Sequence, residues 1–233
     1  MEKLCYVLWK PADLTGAAFR DALVGPVATA LRAQGAERIT VLAADEHAEP
    51  LAKARITKLD PPIAGLVSCW LPCVDAHRDV EKVLGAHAAR AAGYLVTESE
   101  VLRNATHHAP RAGDRTPGTT MLALLEKPER LAFDEWIAIW HERHSPLALE
   151  IQCTYLYVRN VVVRALTDGA PPWRGLVEEG FPTPAVTDPM LWYAAAGDPQ
   201  KLRERIGRMV ASCRAFLDID KVESHPLSEY VLG

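Results

Sequence analysis

The sequence predicts an α+β protein built from two βαββαβ units, and three observations lead to that fold class. Short apolar runs and amphipathic helical patterns follow one another in the order β-α-β-β-α-β. The same order occurs a second time about 120 residues later, which indicates a tandem repeat. A polar segment with two prolines and two glycines, RNATHHAPRAGDRTPG, separates the two occurrences and is typical of a linker.

The first unit, residues 1–103, begins with an apolar run that Lys10-Pro11 ends. Thr15 is a suitable N-cap for the first helix, and Gly35 a suitable C-cap. A second helix is predicted from the alanine-rich pattern that follows the third strand. The predicted strands are 4–9, 38–43, 63–71 and 95–102, and the predicted helices are 15–35 and 80–94.

The second unit, residues 118–233, repeats these signals. Its first strand also ends in a Lys-Pro pair, Lys127-Pro128, and its last strand contains SEYVL where the first unit ends in SEVL. The predicted strands are 120–125, 155–166, 175–181 and 228–232, and the predicted helices are 133–151 and 199–216. Residues 104–117 are the predicted linker between the units.

Each unit has the ferredoxin-like order of elements, with both helices on one face of a four-stranded sheet. The other face is bare and must be covered by a second sheet. We expect the two sheets to pack face to face as an αβ barrel within one chain; the alternative is a barrel shared between chains. Further association into a homodimer is expected.

Composition excludes several classes of function. The chain has 233 residues, 49% of them hydrophobic, and a net charge of −4 without a basic block, which argues against nucleic acid and anionic membranes as partners. No signal peptide or spanning segment is recognisable, so a cytoplasmic location is expected.

The five cysteines do not form a disulfide pattern or a zinc pattern, and Cys69 and Cys73 are interpreted as buried thiols. His107 and His108, adjacent in the linker, are expected to be solvated, and no metal is expected.

The stretch WHERHSPLALE, residues 140–150, is the most unusual in the sequence. At helical spacing His144 lies within the apolar stripe, and His141 lies at its margin. Pro146 lacks a backbone donor, so the helix should kink or break there and open space beside His144. That stripe consists of Phe133, Ile137, Trp140, His144, Leu147 and Ile151, with Trp136 at its edge. The stripe is compatible with a core histidine and equally with an aromatic-lined cavity.

This part of the sequence resembles the EthD family of dimeric αβ-barrel proteins. The matching residues are FDEWIAIWHERHSPLALE with His144, Pro146 and Leu147, the strand YLYVRNVV with Asn160, and GLVEEGF. The first unit matches in architecture only, with Val24 at the position of His144, so any polar pocket should lie in the second unit near His144. The resemblance implies chemistry without metal or flavin on apolar, easily enolised molecules.

The leading hypothesis is a cofactor-independent enzyme, an oxidoreductase or lyase, acting on an apolar, aromatic or polyketide-like substrate. His144 would act as the general base, and Tyr155 or Tyr157, which have the same strand parity, would donate a hydrogen bond to an enolate. Asn160, which has the opposite parity, is also a predicted substrate-binding residue. Trp136, Trp140, His141 and Trp192 complete the predicted binding residues, and 182–198 is a candidate lid.

The alternative hypothesis comes from a different class, a non-catalytic ligand-binding or accessory protein of a degradation pathway. No G-x-G-x-x-G, G-x-S-x-G or H-E-x-x-H motif is present to favour a particular enzyme. The sequence does not decide between the two hypotheses, and it does not identify a substrate.

Overall fold

The computed structural model describes residues 1–109 and 111–233. Within them eight strands form a closed barrel in which all the paired neighbours are antiparallel. The strands are β1 (Glu2–Trp9), β2 (Glu37–Ala43), β3 (Gly65–Leu71), β4 (Arg90–Leu102), β5 (Thr119–Glu126), β6 (Leu156–Ala165), β7 (Trp173–Phe181) and β8 (Glu223–Val231). The linker predicted over 104–117 includes Pro110, which lies outside the described residues.

The strand order around the barrel is β1-β3-β2-β8-β5-β7-β6-β4. The strands of the first half are therefore contiguous, and so are those of the second half. The halves join along two seams, β2 with β8 and β4 with β6. The expectation of a barrel within one chain is met, but not as two sheets packed face to face. The edge strands pair, because pairing satisfies the backbone groups that two separate sheets would leave open.

The helices cover the outside of the barrel. Two of them are interrupted by a stretch of π-helix, at Leu23–Val27 and at Ile139–His144. The α-helical segments are α1 (Gly16–Ala22), α2 (Ala28–Ala33), α3 (His77–Gly85), α4 (Phe133–Ala138), α5 (Ser145–Ile151), α6 (Pro189–Trp192) and α7 (Pro199–Phe216). Short 3-10 turns occur at Glu49–Ala54, Val74–Ala76, Thr183–Thr187 and Ile219–Lys221. No helix in the described part of the chain is long and apolar enough to cross a membrane.

Successive side chains of a strand point to opposite faces of the sheet, and the apolar residues form three cores. The barrel interior holds residues of both halves, such as Val7, Leu66, Leu122 and Leu176. The outer face of the first half packs against α1, α2 and α3, and here Phe19 and Leu23 are fully covered. The outer face of the second half packs against the helices that carry Trp136, Trp140 and Phe216.

The π-helical turn at Ile139–His144 replaces the kink expected at Pro146. The Ser145 N–H donates to the carbonyl of Trp140, five residues earlier, and the Ser145 hydroxyl donates to the same carbonyl over 3.0 Å. Because Pro146 has no N–H and crowds the preceding turn, the wider turn removes the steric conflict without ending the helix.

This turn changes which residues face the sheet. One extra residue rotates the following segment, so the fully buried positions become Trp136, Trp140, Ser145, Ala148 and Ile151. The predicted stripe is thus wrong in part. Phe133 is 45% exposed, and His144 lies at the margin of the buried face.

Three other predictions need correction. The helix predicted over 80–94 ends at Gly85, and β4 begins at Arg90 because it pairs with both β1 and β6, which overrides the helical propensity of its alanines. The last strand starts at Glu223, five residues before its predicted start at 228. Cys69 is buried as expected, but Cys73, beyond the end of β3, is exposed.

Candidate functional site

A cavity of about 390 Å³ lies in the second half, between the outer face of the sheet and the helices. Its volume is in the usual range for small-molecule sites. The first half contributes to its edge, because Ile56 pairs with Ser224 through two backbone hydrogen bonds of 2.8 and 2.7 Å. The cavity is lined mostly by apolar side chains, among them Ala54, Ile56, Met121, Ala123, Leu125, Trp140, Val177, Ala185, Val186, Trp192, Met209, Phe216 and Leu217.

Aromatic rings form two walls of the cavity. Trp140 stacks with Phe216 at 6.5 Å between ring centroids, and Trp192 of α6 stacks with Phe181 at 3.7 Å. The indole of Trp140 lies over Gly175 of β7, where a Cβ would come within 2.7 Å of the ring. The wall therefore needs a residue without a side chain at position 175.

His144 borders the cavity from the end of the π-helical turn. Its Nδ1 lies 3.0 Å from the Ser212 hydroxyl of α7, and its ring packs 4.7 Å from Phe216. Burial lowers its pKa to about 4, so the imidazole is neutral at neutral pH. In the tautomer that leaves Nδ1 without a proton, the Ser212 hydroxyl donates to Nδ1 and the ring proton is on Nε2.

Glu179 of β7 brings a carboxyl group to the same cavity. It forms no ion pair and no side-chain hydrogen bond with any described residue. Burial raises its pKa to about 7, because removal from water disfavours the charged carboxylate. Burial is the main cause that raises the pKa of Tyr157, Tyr193 and Cys213, and the charge of Glu179 raises these pKa values further, which places the three side chains near it.

Further polar groups converge on this space. The Tyr157 hydroxyl lies 3.4 Å from the Ser145 hydroxyl, and burial raises the pKa of Tyr157 well above its ordinary value. Gln152 lines the cavity with a buried Oε1 that has no hydrogen-bond partner in the described chain. Tyr193 and Cys213 also line it, and burial raises the pKa of Cys213 to about 11.

Four of the residues predicted from sequence line this cavity: Trp140, His144, Tyr157 and Trp192. The candidate lid over 182–198 forms part of the wall. Trp136 lies behind Trp140, with 5.0 Å between ring centroids, and supports the wall without bordering the cavity.

His141 also lies away from the cavity. It packs edge-on against Trp140, and its pKa is lowered to about 4 by burial and by the charge of Arg159.

Tyr155 and Asn160 are separated from Tyr157. Tyr155 precedes β6, so strand parity does not orient it; it stacks on His107 at 3.9 Å and donates to the carbonyl of Pro117. Asn160 points into the barrel, where its amide donates to Glu178 over 2.9 Å. Neither side chain reaches the cavity around His144.

Sequence reasoning missed Glu179, Gln152 and Tyr193. The stretch GLVEEGF did carry a signal for Glu179, because two adjacent carboxylates on a strand must face opposite sides of the sheet. A polar cavity also occurs outside the predicted place, at one end of the barrel, with lining residues from both halves. Within the described residues no cluster of His, Cys, Asp or Glu is arranged to hold a metal ion.

No protein-family model matches the sequence, and no curated protein is similar to it at a significant level. Solved structures do match. An anthrone oxidase-like protein is 10% identical, with a TM-score of 0.56 over 100% of this chain and 93% of the other. A protein provisionally described as a monooxygenase from Lactobacillus acidophilus is 8% identical, with a TM-score of 0.51 and coverage of 100% and 96%. A similarly described protein from Fusobacterium nucleatum is 11% identical, with a TM-score of 0.53 and coverage of 100% and 92%.

These similarities concern the fold. The chain shares the fold of these structures over its whole length. At about one identical residue in ten, reaction and substrate do not follow from the fold.

Proposed function

We propose that this protein is an enzyme that acts on an apolar, aromatic or polyketide-like small molecule in the second-half cavity. The observation that carries the proposal is that one aromatic-walled cavity is lined both by the Glu179 carboxyl, which has no partner among the described residues, and by the neutral imidazole of His144. Buried ionisable groups without partners cost free energy of folding, so their presence in a cavity favours a functional role.

The pKa values favour Glu179 as the proton acceptor. A general base works best when its pKa is near the operating pH, and the pKa of Glu179 is raised to about 7. His144, with a pKa lowered to about 4, is a weak base. The resemblance to the EthD family favours His144 as the base. Its lowered pKa instead favours His144 as a hydrogen-bond donor through Nε2.

The reaction we propose begins with the transfer of a proton from carbon to the Glu179 carboxylate. The carbon would be activated by a carbonyl group of the substrate, and the negative charge would move to that oxygen. His144 Nε2–H and the Tyr157 hydroxyl would donate hydrogen bonds to the enolate oxygen, which lowers the barrier in a site that excludes water.

An oxidation is the form of this chemistry that the names of the similar structures favour. In that form dioxygen is the oxidant: the carbanion and dioxygen form a peroxide anion, and a proton from Glu179 gives the hydroperoxide. Loss of water then leaves a ketone. One methylene is oxidised, and one dioxygen is reduced to one carbonyl oxygen and one water.

The test uses wild type, Glu179→Gln and His144→Gln with anthrone-type rings and enolisable diketones, first by thermal shift and then by oxygen uptake. We expect turnover to increase as pH rises through about 7 in the wild type and to fall by about 10²–10⁴-fold in Glu179→Gln. A profile that rises at about pH 4 and is flat near 7 would assign the base to His144 instead. Ligand binding with no turnover of any probe would favour the ligand-binding or accessory protein.

A further inference from the structure

A second cavity, of about 530 Å³, lies at one end of the barrel. It is distinct from the cavity around His144, which lies outside the sheet. Its floor consists of strand side chains that point into the barrel, including Lys3, Ser68, Glu178 and Glu229, and the segment between the two halves borders it with Asn104, His107 and Thr116.

Among the described lining residues, the floor of this second cavity has the carboxylates of Glu98, Glu178 and Glu229 and the single cation Lys3. The rim also carries Arg103, which pairs with Glu100 over 2.8 Å, and the exposed Arg111. Lys3, which is 4% exposed, contacts Glu98 over 2.6 Å and Glu178 over 3.5 Å. Its ammonium is therefore shared between two acids. Arg38, at the rim, lies 3.8 Å from Glu98 but has a mostly exposed side chain stacked on Trp70. Arg38 therefore neutralises little of the negative charge of the floor carboxylates.

Glu229 has no counter-ion among the described residues. It is 7% exposed and lines the cavity, and no basic group of the described chain lies within ion-pair distance of its carboxyl. Burial is the main cause that raises the pKa of this carboxyl to about 7; the Thr116 side chain lowers the pKa, and the charge of Glu178 raises it further. A buried carboxylate without a cation costs free energy of folding, and a positively charged ligand would offset that cost.

Asn160 adds an unsatisfied acceptor beside the floor. Its amide nitrogen donates to Glu178, while its Oδ1 is buried and has no partner among the described residues. Among the described residues, Glu229 therefore lacks an ion-pair partner and Asn160 Oδ1 lacks a hydrogen-bond partner. A group with a positive charge and several hydrogen-bond donors would complement the floor of the cavity.

We propose that this cavity binds a small organic cation with a primary ammonium group, held by Glu229 and Glu178. An ammonium has three donors and no acceptor, which suits a site with surplus carboxylate oxygens. The described residues contain no cluster arranged as metal ligands, which favours an organic cation over a metal ion. The proposal is independent of the reaction proposed for the other cavity.

The test is calorimetric titration of the full chain at about pH 8, where Glu229 is ionised. The probes are 1,4-diaminobutane and spermidine, with 1,4-butanediol as the uncharged analogue and succinate as the anionic one. We expect saturable binding of an amine at one site per chain, and no binding of the diol or of succinate. Glu229→Gln should weaken amine binding at least about tenfold, because it removes a charge while keeping the shape.

Glu179→Gln is the matched control, because it changes a buried carboxyl of similarly raised pKa on the other side of the sheet. It should leave amine binding unchanged, and Glu229→Gln should leave apolar-ligand binding unchanged. Glu229→Asp keeps the charge and should retain measurable binding, which guards against a folding defect in the glutamine variant. Absence of amine binding at millimolar concentration, equal binding by Glu229→Gln, or a preference for succinate would overturn the proposal.

Discussion

Glu178 and Glu179 are adjacent on β7 and have opposite surroundings. Glu178 points into the barrel, where Lys3 and Asn160 contact it. Glu179 points outward into a mostly apolar cavity whose described lining residues include no lysine or arginine, and burial raises its pKa to about 7. A single step along a strand thus separates a paired structural carboxylate from a candidate catalytic one.

Glu179 should make the wild type less stable as pH rises. Its pKa in the folded protein, about 7, is above the ordinary value of 4.5, so its stabilising effect is complete below about pH 4.5 and is lost as pH rises to about 7. Relative to wild type, Glu179→Gln should gain free energy of unfolding over this interval, by up to about 3 kcal/mol. Denaturant unfolding between these pH values measures it, with Glu142→Gln as an exposed control. A gain that does not change with pH would contradict the assignment.

His144 should make the wild type less stable as pH falls, which is the opposite of the effect of Glu179. Its pKa is lowered from 6.5 to about 4, so its contribution to stability is present above pH 6.5 and is lost as pH falls to about 4. In His144→Gln this loss on acidification should disappear, while the amide can still contact Ser212. Thermal melts of both proteins across this interval provide the measurement, and His47→Gln removes an exposed histidine for comparison. Parallel melting curves for wild type and His144→Gln would show that the imidazole is not shielded.

At the scale of elements, the π-helical turn and β7 together shape the cavity. The turn at Ile139–His144 places Trp140 toward the sheet and leaves His144 at the edge of the space. Gly175 accepts the indole of Trp140, since any Cβ there would lie 2.7 Å from the ring. The helix and β7 thus pack closely at the contact between the Trp140 indole and Gly175.

Gly175→Ala should destabilise the protein by about 1–3 kcal/mol through overpacking and shift the fluorescence of the tryptophans. Gly207→Ala is the matched control, because that glycine lies in α7 and a methyl group there would have no heavy atom within 4 Å. At this position alanine should stabilise the helix by about 0.5–1 kcal/mol. Chemical denaturation of both variants provides the measurement, and equal effects would mean that the contact with Trp140 is easily displaced.

At the scale of the whole molecule, the two halves share one interior. Residues of both halves fill the barrel, and two seams of backbone hydrogen bonds close it. The barrel is complete within one chain, so its closure does not depend on a second copy. The homodimer and the origin of the halves by duplication stay predictions.

Because the interior is shared, we expect the protein to unfold in one cooperative transition. Scanning calorimetry should give one peak, with the calorimetric enthalpy equal to the van't Hoff enthalpy. Leu8→Ala in the first half and Phe216→Ala in the second should each shift the whole peak downward. Two separable peaks, each sensitive to substitutions in one half, would show that the units are independent domains.

The sequence by itself determined the order of the strands and helices and the helix around His144. These follow from local periodicity, from proline and glycine punctuation and from a repeat, which do not depend on distant contacts. Four residues predicted from the sequence, Trp140, His144, Tyr157 and Trp192, line the cavity. Trp140 and His144 were visible because they belong to an aromatic-rich helix with histidine and proline within a short stretch.

Only the tertiary structure decided that the sheets join edge to edge, that β4 begins within a helical pattern, and that Glu179 shares a cavity with His144. Each depends on partners far away in the chain: β4 on β1 and β6, and the pKa of Glu179 on the absence of a nearby cation among the residues described. A π-helical turn rotates a helix by one residue, and no periodicity rule anticipates that change of face. The physical reason is that burial and electrostatics are properties of the assembled neighbourhood rather than of the segment.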